Sequence, residues 1–214
     1  MFITFEGIEG SGKTTQMVNI RRYLESHGKT CVTTREPGDT RIGAQIRKIL
    51  LDPENRDLVP QAELFLYAAD RAQHIRERIL PALEAGNVVI CDRFFDATTV
   101  YQGYARGLDL DLICDIHKRV LGNLKPDITF LFDLEPDVGL KRAWAAIDGG
   151  GRSSDETRFE QETLAFHEKV RNGYLDIAQK EPERIVLLDA SLSQDEVFEQ
   201  IRRTLALRFS FHSL

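Results

Sequence analysis

The chain has 214 residues, 42% hydrophobic and 29% charged, which suits one globular domain over residues 1–214 and excludes a disordered polymer. A formal net charge of −6 leaves no general basic surface, so a nucleic acid polymer is not an expected partner. No stretch approaches the ~20 apolar residues of a membrane helix, and the expectation is a soluble, cytoplasmic protein with no membrane partner.

In chain order, Phe2–Glu6 reads as a first strand, and the acid at Glu6 argues against a signal peptide. A helix starts near Lys13, with Gly28 placed to end it, and Thr30–Thr34 is the second strand. Cys31 there, like Cys91 and Cys114, has no C-x-x-C or metal-ligand spacing and reads as a reduced thiol. Helices follow near Thr40 and Pro60, Gly86 ends a later one, and Val88–Asp92 is the third strand. A helix near Leu108 precedes the strand Ile128–Asp133, and helices near Pro136 and Phe159 precede the strand Arg184–Leu188. A last helix follows Ser193. Such alternation implies an α/β fold, a parallel sheet with helices on both faces. The soft run Asp148-Gly149-Gly150-Gly151-Arg152-Ser153-Ser154 is too short to separate domains and suits a lid, spanning about 148–158.

Gly7-Ile8-Glu9-Gly10-Ser11-Gly12-Lys13-Thr14 matches G-x-x-x-x-G-K-[ST], after a strand and opening a helix, the context the pattern requires. Its glycines let consecutive N–H groups turn inward, and the helix start adds unpaired donors and a positive dipole end. Lys13 is then expected on the β/γ-phosphates, the Thr14 hydroxyl on Mg²⁺, and Thr15 in the same first turn. The loop says "nucleotide phosphate" and leaves open a switch or an enzyme. The nearest string to a guanine-specificity element, Asn123-Leu124-Lys125-Pro126-Asp127, has the wrong spacing and precedes its strand.

Glu9 is unusual inside an anion-binding loop; it either pairs with an arginine, meets a sugar hydroxyl, or is a solvated acid. Arg35 and Arg93 fall at strand carboxyl ends, where a parallel sheet forms its ligand crevice. Asp92 is placed to hold Mg²⁺-bound water while Arg93 grips an acceptor phosphate, the alternative being a plain surface pair. Tyr67 and Arg71, four apart on a helical stretch, share a face on which a base could stack and be read; alone, core packing of Tyr67 explains them as well.

With these residues assembled, the chain resembles the thymidylate kinases over nearly its whole length. The resemblance rests on Phe5-Glu6-Gly7, Thr34-Arg35-Glu36-Pro37-Gly38, Asp70-Arg71, Asp92-Arg93-Phe94, Tyr101-Gln102-Gly103, Pro126-Asp127, and Leu131-Phe132-Asp133 with Gly139-Leu140-Lys141-Arg142, in the family's order. It implies a P-loop NTPase fold with a five-stranded parallel sheet, phosphoryl transfer from Mg-ATP to dTMP, and a homodimer. It also implies that Glu9 meets the acceptor 3′-hydroxyl, that Arg93, Arg35 and Arg47 face the substrate, and that Tyr67 stacks on thymine. Arg71 then donates to the thymine carbonyl, Thr98 faces the base, and Tyr101, beside Gln102, crowds the 2′ position. Arg142 stacks on adenine, and Asp189-Ala190-Ser191 lies on the adenine side. The loop holds no arginine, so the γ-phosphate arginine is expected in or beside the lid, as Arg152 or Arg158, the arrangement typical of bacteria. Other nucleoside monophosphates as acceptors, or a non-catalytic nucleotide-binding switch, remain alternatives at this stage.

Overall fold

The computed structural model describes residues 1–151 and 153–209. Five strands form one sheet: β1 (Phe2–Gly7), β2 (Cys31–Arg35), β3 (Val88–Asp92), β4 (Ile128–Asp133) and β5 (Ile185–Asp189). Their order is β2-β3-β1-β4-β5, and every pairing is parallel. β1 is central and buried along its whole length, and β3 and β4 are apolar runs buried almost throughout, as expected of strands covered on two faces. The period-2 alternation of side chains explains two cores. Ile3, Phe5, Val88 and Ile90 face a large cluster that includes Ile20, Val100, Phe130 and Val170, whereas Phe2, Val89 and Cys91 face a smaller one with Ile79 and Phe94.

The helices are α1 (Lys13–Ser26), α2 (Arg41–Leu51), α3 (Pro60–His74), α4 (Leu80–Glu84), α5 (Phe95–Thr98), α6 (Leu110–Leu121), α7 (Pro136–Asp148), α8 (Leu164–Lys180) and α9 (Gln194–Phe209). Thr40 caps α2 by accepting from Gly43 N, and Pro60 occupies the first turn of α3, where a missing N–H costs nothing. Gly28 and Gly86 take positive φ just past the ends of α1 and α4, as expected from the sequence.

Three elements differ from expectation. α3 does not stop but runs through a wide π-helical turn, Ile75–Ile79, into α4, where Pro81 cannot donate to the turn before it. α5 and a second π-helical stretch, Thr99–Ala105, form an unexpected helical segment; a continuous apolar and aromatic run hides helical period. The helix expected near Phe159 starts at Leu164, capped by Thr163, because Thr157–Glu160 are buried in an irregular turn. Among the described residues, no helix is long and apolar enough to cross a membrane.

Candidate active site

All five strands point their carboxyl ends at one edge of the sheet, and a cavity of about 1260 Å³ opens there. Ligand pockets commonly measure ~300–1,000 Å³, so this one has room for more than one small molecule. The β1–α1 loop forms its floor. Gly10 (φ 70) packs so tightly on α7 that a Cβ there would lie 2.1 Å from the Gly139 carbonyl oxygen. Gly12 (φ 92) is the N-cap of α1, and no side chain caps that helix, so its N-terminal donors and dipole face the cavity. Lys13 is buried and folds back on the loop, donating from Nζ to the Gly7 carbonyl (3.0 Å), the Ile8 carbonyl (2.8 Å) and Ser11 Oγ (3.2 Å). Burial, with Arg93 nearby, lowers its pKa to about 8.

Above the floor stands Arg93, at the end of β3, with φ 65 in a region L side chains rarely adopt. The turn is over-determined: Arg93 N donates to the Phe5 carbonyl at 2.9 Å, and Phe94 N to Glu6 Oε1 at 2.7 Å. The Arg93 guanidinium donates to Glu9 Oε1 at 2.8 Å and to Tyr174 Oη at 3.2 Å, and lies 5.0 Å from the Tyr101 ring centre. Tyr101 Oη also donates to Glu9 Oε1, at 2.7 Å. Burial alone would push the Glu9 carboxyl up; Arg93 and its neighbours outweigh that and hold it well below the usual carboxylate range. Beneath this group Glu6 is fully buried and accepts from Tyr174 Oη at 2.7 Å; burial, with Asp96 adding to it, pushes its pKa to about 8.

At the far end of the cavity, Arg71 on α3 is almost wholly buried. Its Nε donates to Glu36 Oε2 at 2.7 Å, and its Nη2 to the Phe94 carbonyl (3.1 Å) and Thr98 Oγ1 (3.0 Å). His74 holds the other Glu36 oxygen at 2.8 Å. Tyr67 lies half-buried on the same wall, with its hydroxyl pKa raised by burial first and Glu63 second. Arg47 lines the cavity but is bound to Glu156, pairing with both its carboxylate oxygens at 2.8 and 2.7 Å. Arg35 sits at the exposed rim, and Arg142 at the opposite end, where Nη1 donates to the Ala190 carbonyl at 3.2 Å beside Ser191 and Leu192.

The cavity therefore gathers almost every residue picked from the sequence: Glu9 to Thr15, Arg35, Arg47, Tyr67, Arg71, Asp92, Arg93, Thr98, Tyr101, Gln102 and Arg142. Gly7 and Ile8 do not line it; their carbonyls lie behind the loop, under Lys13. Gln102 lines it but spends its amide on Glu63 Oε1, at 2.8 Å. Arg158, expected in or beside the lid, does not line the cavity. It is buried, with Nη2 on Glu63 Oε2 and Nε on the Leu50 carbonyl, each at 2.5 Å. Arg152, the other candidate, lies outside the described residues.

Sequence reading missed the buried support of these groups: Glu6, Glu36, Glu63, Tyr174 and His167. Glu6 and Glu36 stood inside quoted motifs, and an acid within an apolar strand was the available signal for Glu6. Nothing local pointed to Tyr174, which meets Glu6 across 168 residues.

Comparison with known proteins agrees with this geometry. The sequence profile described as thymidylate kinase matches residues 5–201. The thymidylate kinase of Desulfosudis oleivorans is 60% identical over 190 residues, 89% of each chain. That of Desulforapulum autotrophicum is 56% identical over 94% of this chain and 88% of its own. The crystal structure of thymidylate kinase from Ehrlichia chaffeensis superimposes with a TM-score of 0.75 at 35% identity, covering 96% of this chain and 98% of that one. A likeness this extensive in sequence, and matched in fold, places the chain in the thymidylate kinase family.

Proposed function

We propose that this enzyme transfers the γ-phosphoryl group of Mg-ATP to dTMP, giving dTDP and ADP on the way to deoxythymidine triphosphate. The observation that carries the acceptor assignment is the buried Arg71 guanidinium, a donor-only group fixed by Glu36, the Phe94 carbonyl and Thr98 at the far end of the cavity. Its Nη1, not engaged in those bonds, fits a base carbonyl and opposes the exocyclic amine of cytosine. Tyr101 beside Glu9 leaves little space at the sugar 2′ position while Glu9 offers an acceptor to the 3′-hydroxyl.

In this reading Lys13 leaves its loop carbonyls for the donor phosphates, and the charge it meets there raises its pKa again. Arg93 keeps Glu9 and Tyr174 with two N–H groups and presents the remaining ones to the acceptor phosphate. Asp92 Oδ1 is buried, in a residue that lines the cavity, and has no hydrogen-bond partner among the described residues; with the exposed Thr14 it fits the surroundings of Mg²⁺. Bound there, Mg²⁺ supplies neutralisation of charge on the transferring group. Arg152 takes the γ-phosphate role, because Arg158 is committed to Glu63. The homodimer is part of the proposal; exposed apolar side chains of α3 (Phe65) and α6 (Leu112) offer a surface, and sedimentation as a 24.4 kDa species alone would refute it.

The test is ADP release with Mg-ATP across dTMP, dUMP, dCMP, dGMP and UMP at matched concentrations. Preference for dTMP, abolished by Lys13→Ala in folded protein, is expected; preference for dCMP refutes the donor-only reading of the base site.

A further inference from the structure

Glu9 has two carboxylate oxygens in unequal company. Oε1 accepts from Arg93 and Tyr101, whereas Oε2 is buried, has no hydrogen-bond partner among the described residues and lies 3.5 Å from His167 Nδ1. His167, in the first turn of α8, is fully buried. Its other nitrogen decides its chemistry. Nε2 lies 3.0 Å from the Phe159 carbonyl oxygen, which can only accept, so Nε2 must carry a hydrogen. In a neutral ring this leaves Nδ1 bare, its lone pair facing the Glu9 carboxylate. Only a ring protonated on both nitrogens satisfies both neighbours. The charged groups around it are Glu9 from the phosphate-binding loop and Glu160 from the turn before α8, with Arg93 on the far oxygen of Glu9. Burial opposes the charge, but the Glu9 contacts more than offset it and the histidine pKa is raised.

We propose that His167 is held as an imidazolium and acts as a positioning residue, fixing Glu9 Oε2 for the acceptor sugar and tying it to the turn at Phe159 that follows the lid segment. The inference rests on the reading of Glu9 as the 3′-hydroxyl partner. When His167 loses its proton, lone pair opposes lone pair, Oε2 is pushed off its position while Oε1 stays with Arg93 and Tyr101, and use of the acceptor weakens while use of ATP does not.

Two measurements separate this inference from the reading it rests on. Nitrogen-15 NMR of the wild-type imidazole needs no variant: hydrogens on both ring nitrogens at pH about 7.5 are expected, and a bare Nδ1 there overturns the proposal. Kinetics then compare dTMP with its 3′-deoxy analogue, for wild type, His167→Gln and His167→Phe. The Phe variant should raise the dTMP KM about tenfold, lose the wild-type rise of that KM at alkaline pH, and leave the analogue within about twofold. The Gln variant, which keeps one donor, should recover part of the loss. An unchanged dTMP KM in the Phe variant also overturns the proposal. Equal losses for dTMP and the analogue, with the imidazolium confirmed, refute the sugar reading of Glu9 and with it the proposed role. If neither variant folds, the wild-type pH dependence decides: a dTMP KM that rises with pH while that of the analogue stays flat supports the role, and parallel profiles refute it.

Discussion

Tyr101→Phe removes a single hydroxyl, 2.7 Å from Glu9 Oε1, and leaves the ring packed edge-on against Phe159, Phe166 and Tyr174. A hydrogen bond to a charged group contributes about 1.5–3 kcal/mol. Glu9 Oε1 keeps Arg93 Nη2 at 2.8 Å, so the lower figure, about 1.5 kcal/mol, is the better estimate here. Since ~1.4 kcal/mol is a factor of ten, the dTMP KM should rise about tenfold if Glu9 holds the acceptor sugar. The turnover number should change little, because Lys13 and the donor end of the cavity are untouched. Tyr101→Ala also removes the ring and with it the obstruction at the 2′ position, so the preference for dUMP over UMP should fall in this variant alone. Steady-state ADP release with dTMP, dUMP and UMP reads both effects. An unchanged dTMP KM in the Phe variant, or an equal loss of deoxy preference in the two variants, refutes the assignment of hydroxyl to Glu9 and ring to the sugar.

Three further outcomes concern Glu6, Arg158 and Arg152. The folded Glu6 carboxyl titrates near pH 8 rather than 4.5, so its contribution to stability is fully present below pH 4.5 and is lost as pH rises through about 8. Glu6→Gln should therefore flatten the fall of Tm over that window, and identical slopes in the two proteins would remove Glu6 as its source. Arg158→Ala strands Glu63, although Arg106 and Gln102 remain on it, so the loss should be near the low end of the ~3–5 kcal/mol for breaking a buried pair, with Tm lower by roughly 6–12 °C. Its turnover at permissive temperature should stay within about tenfold, whereas Arg152→Ala should lose about 10³-fold with little change in Tm. The reverse pattern would return the γ-phosphate role to Arg158.

The phosphate-binding loop, the five strands and most helix starts were legible because each is specified by neighbours in the chain: glycines at fixed spacing, period-2 and apolar runs, and caps such as Thr40 and Pro60. Ordered motifs then placed the cavity residues, since Arg35, Asp92 and Arg93 must reach the same sheet edge in any parallel α/β arrangement. The sequence by itself thus determined which groups line the cavity at the carboxyl edge of the sheet. Only the tertiary structure decided what orients them. Glu6 finds Tyr174, Arg71 finds Glu36 and Thr98, and Arg158 goes to Glu63 instead of the cavity, through contacts spanning 27 to 168 residues. A buried charge must have a partner, but which distant partner it takes depends on packing that no local pattern encodes.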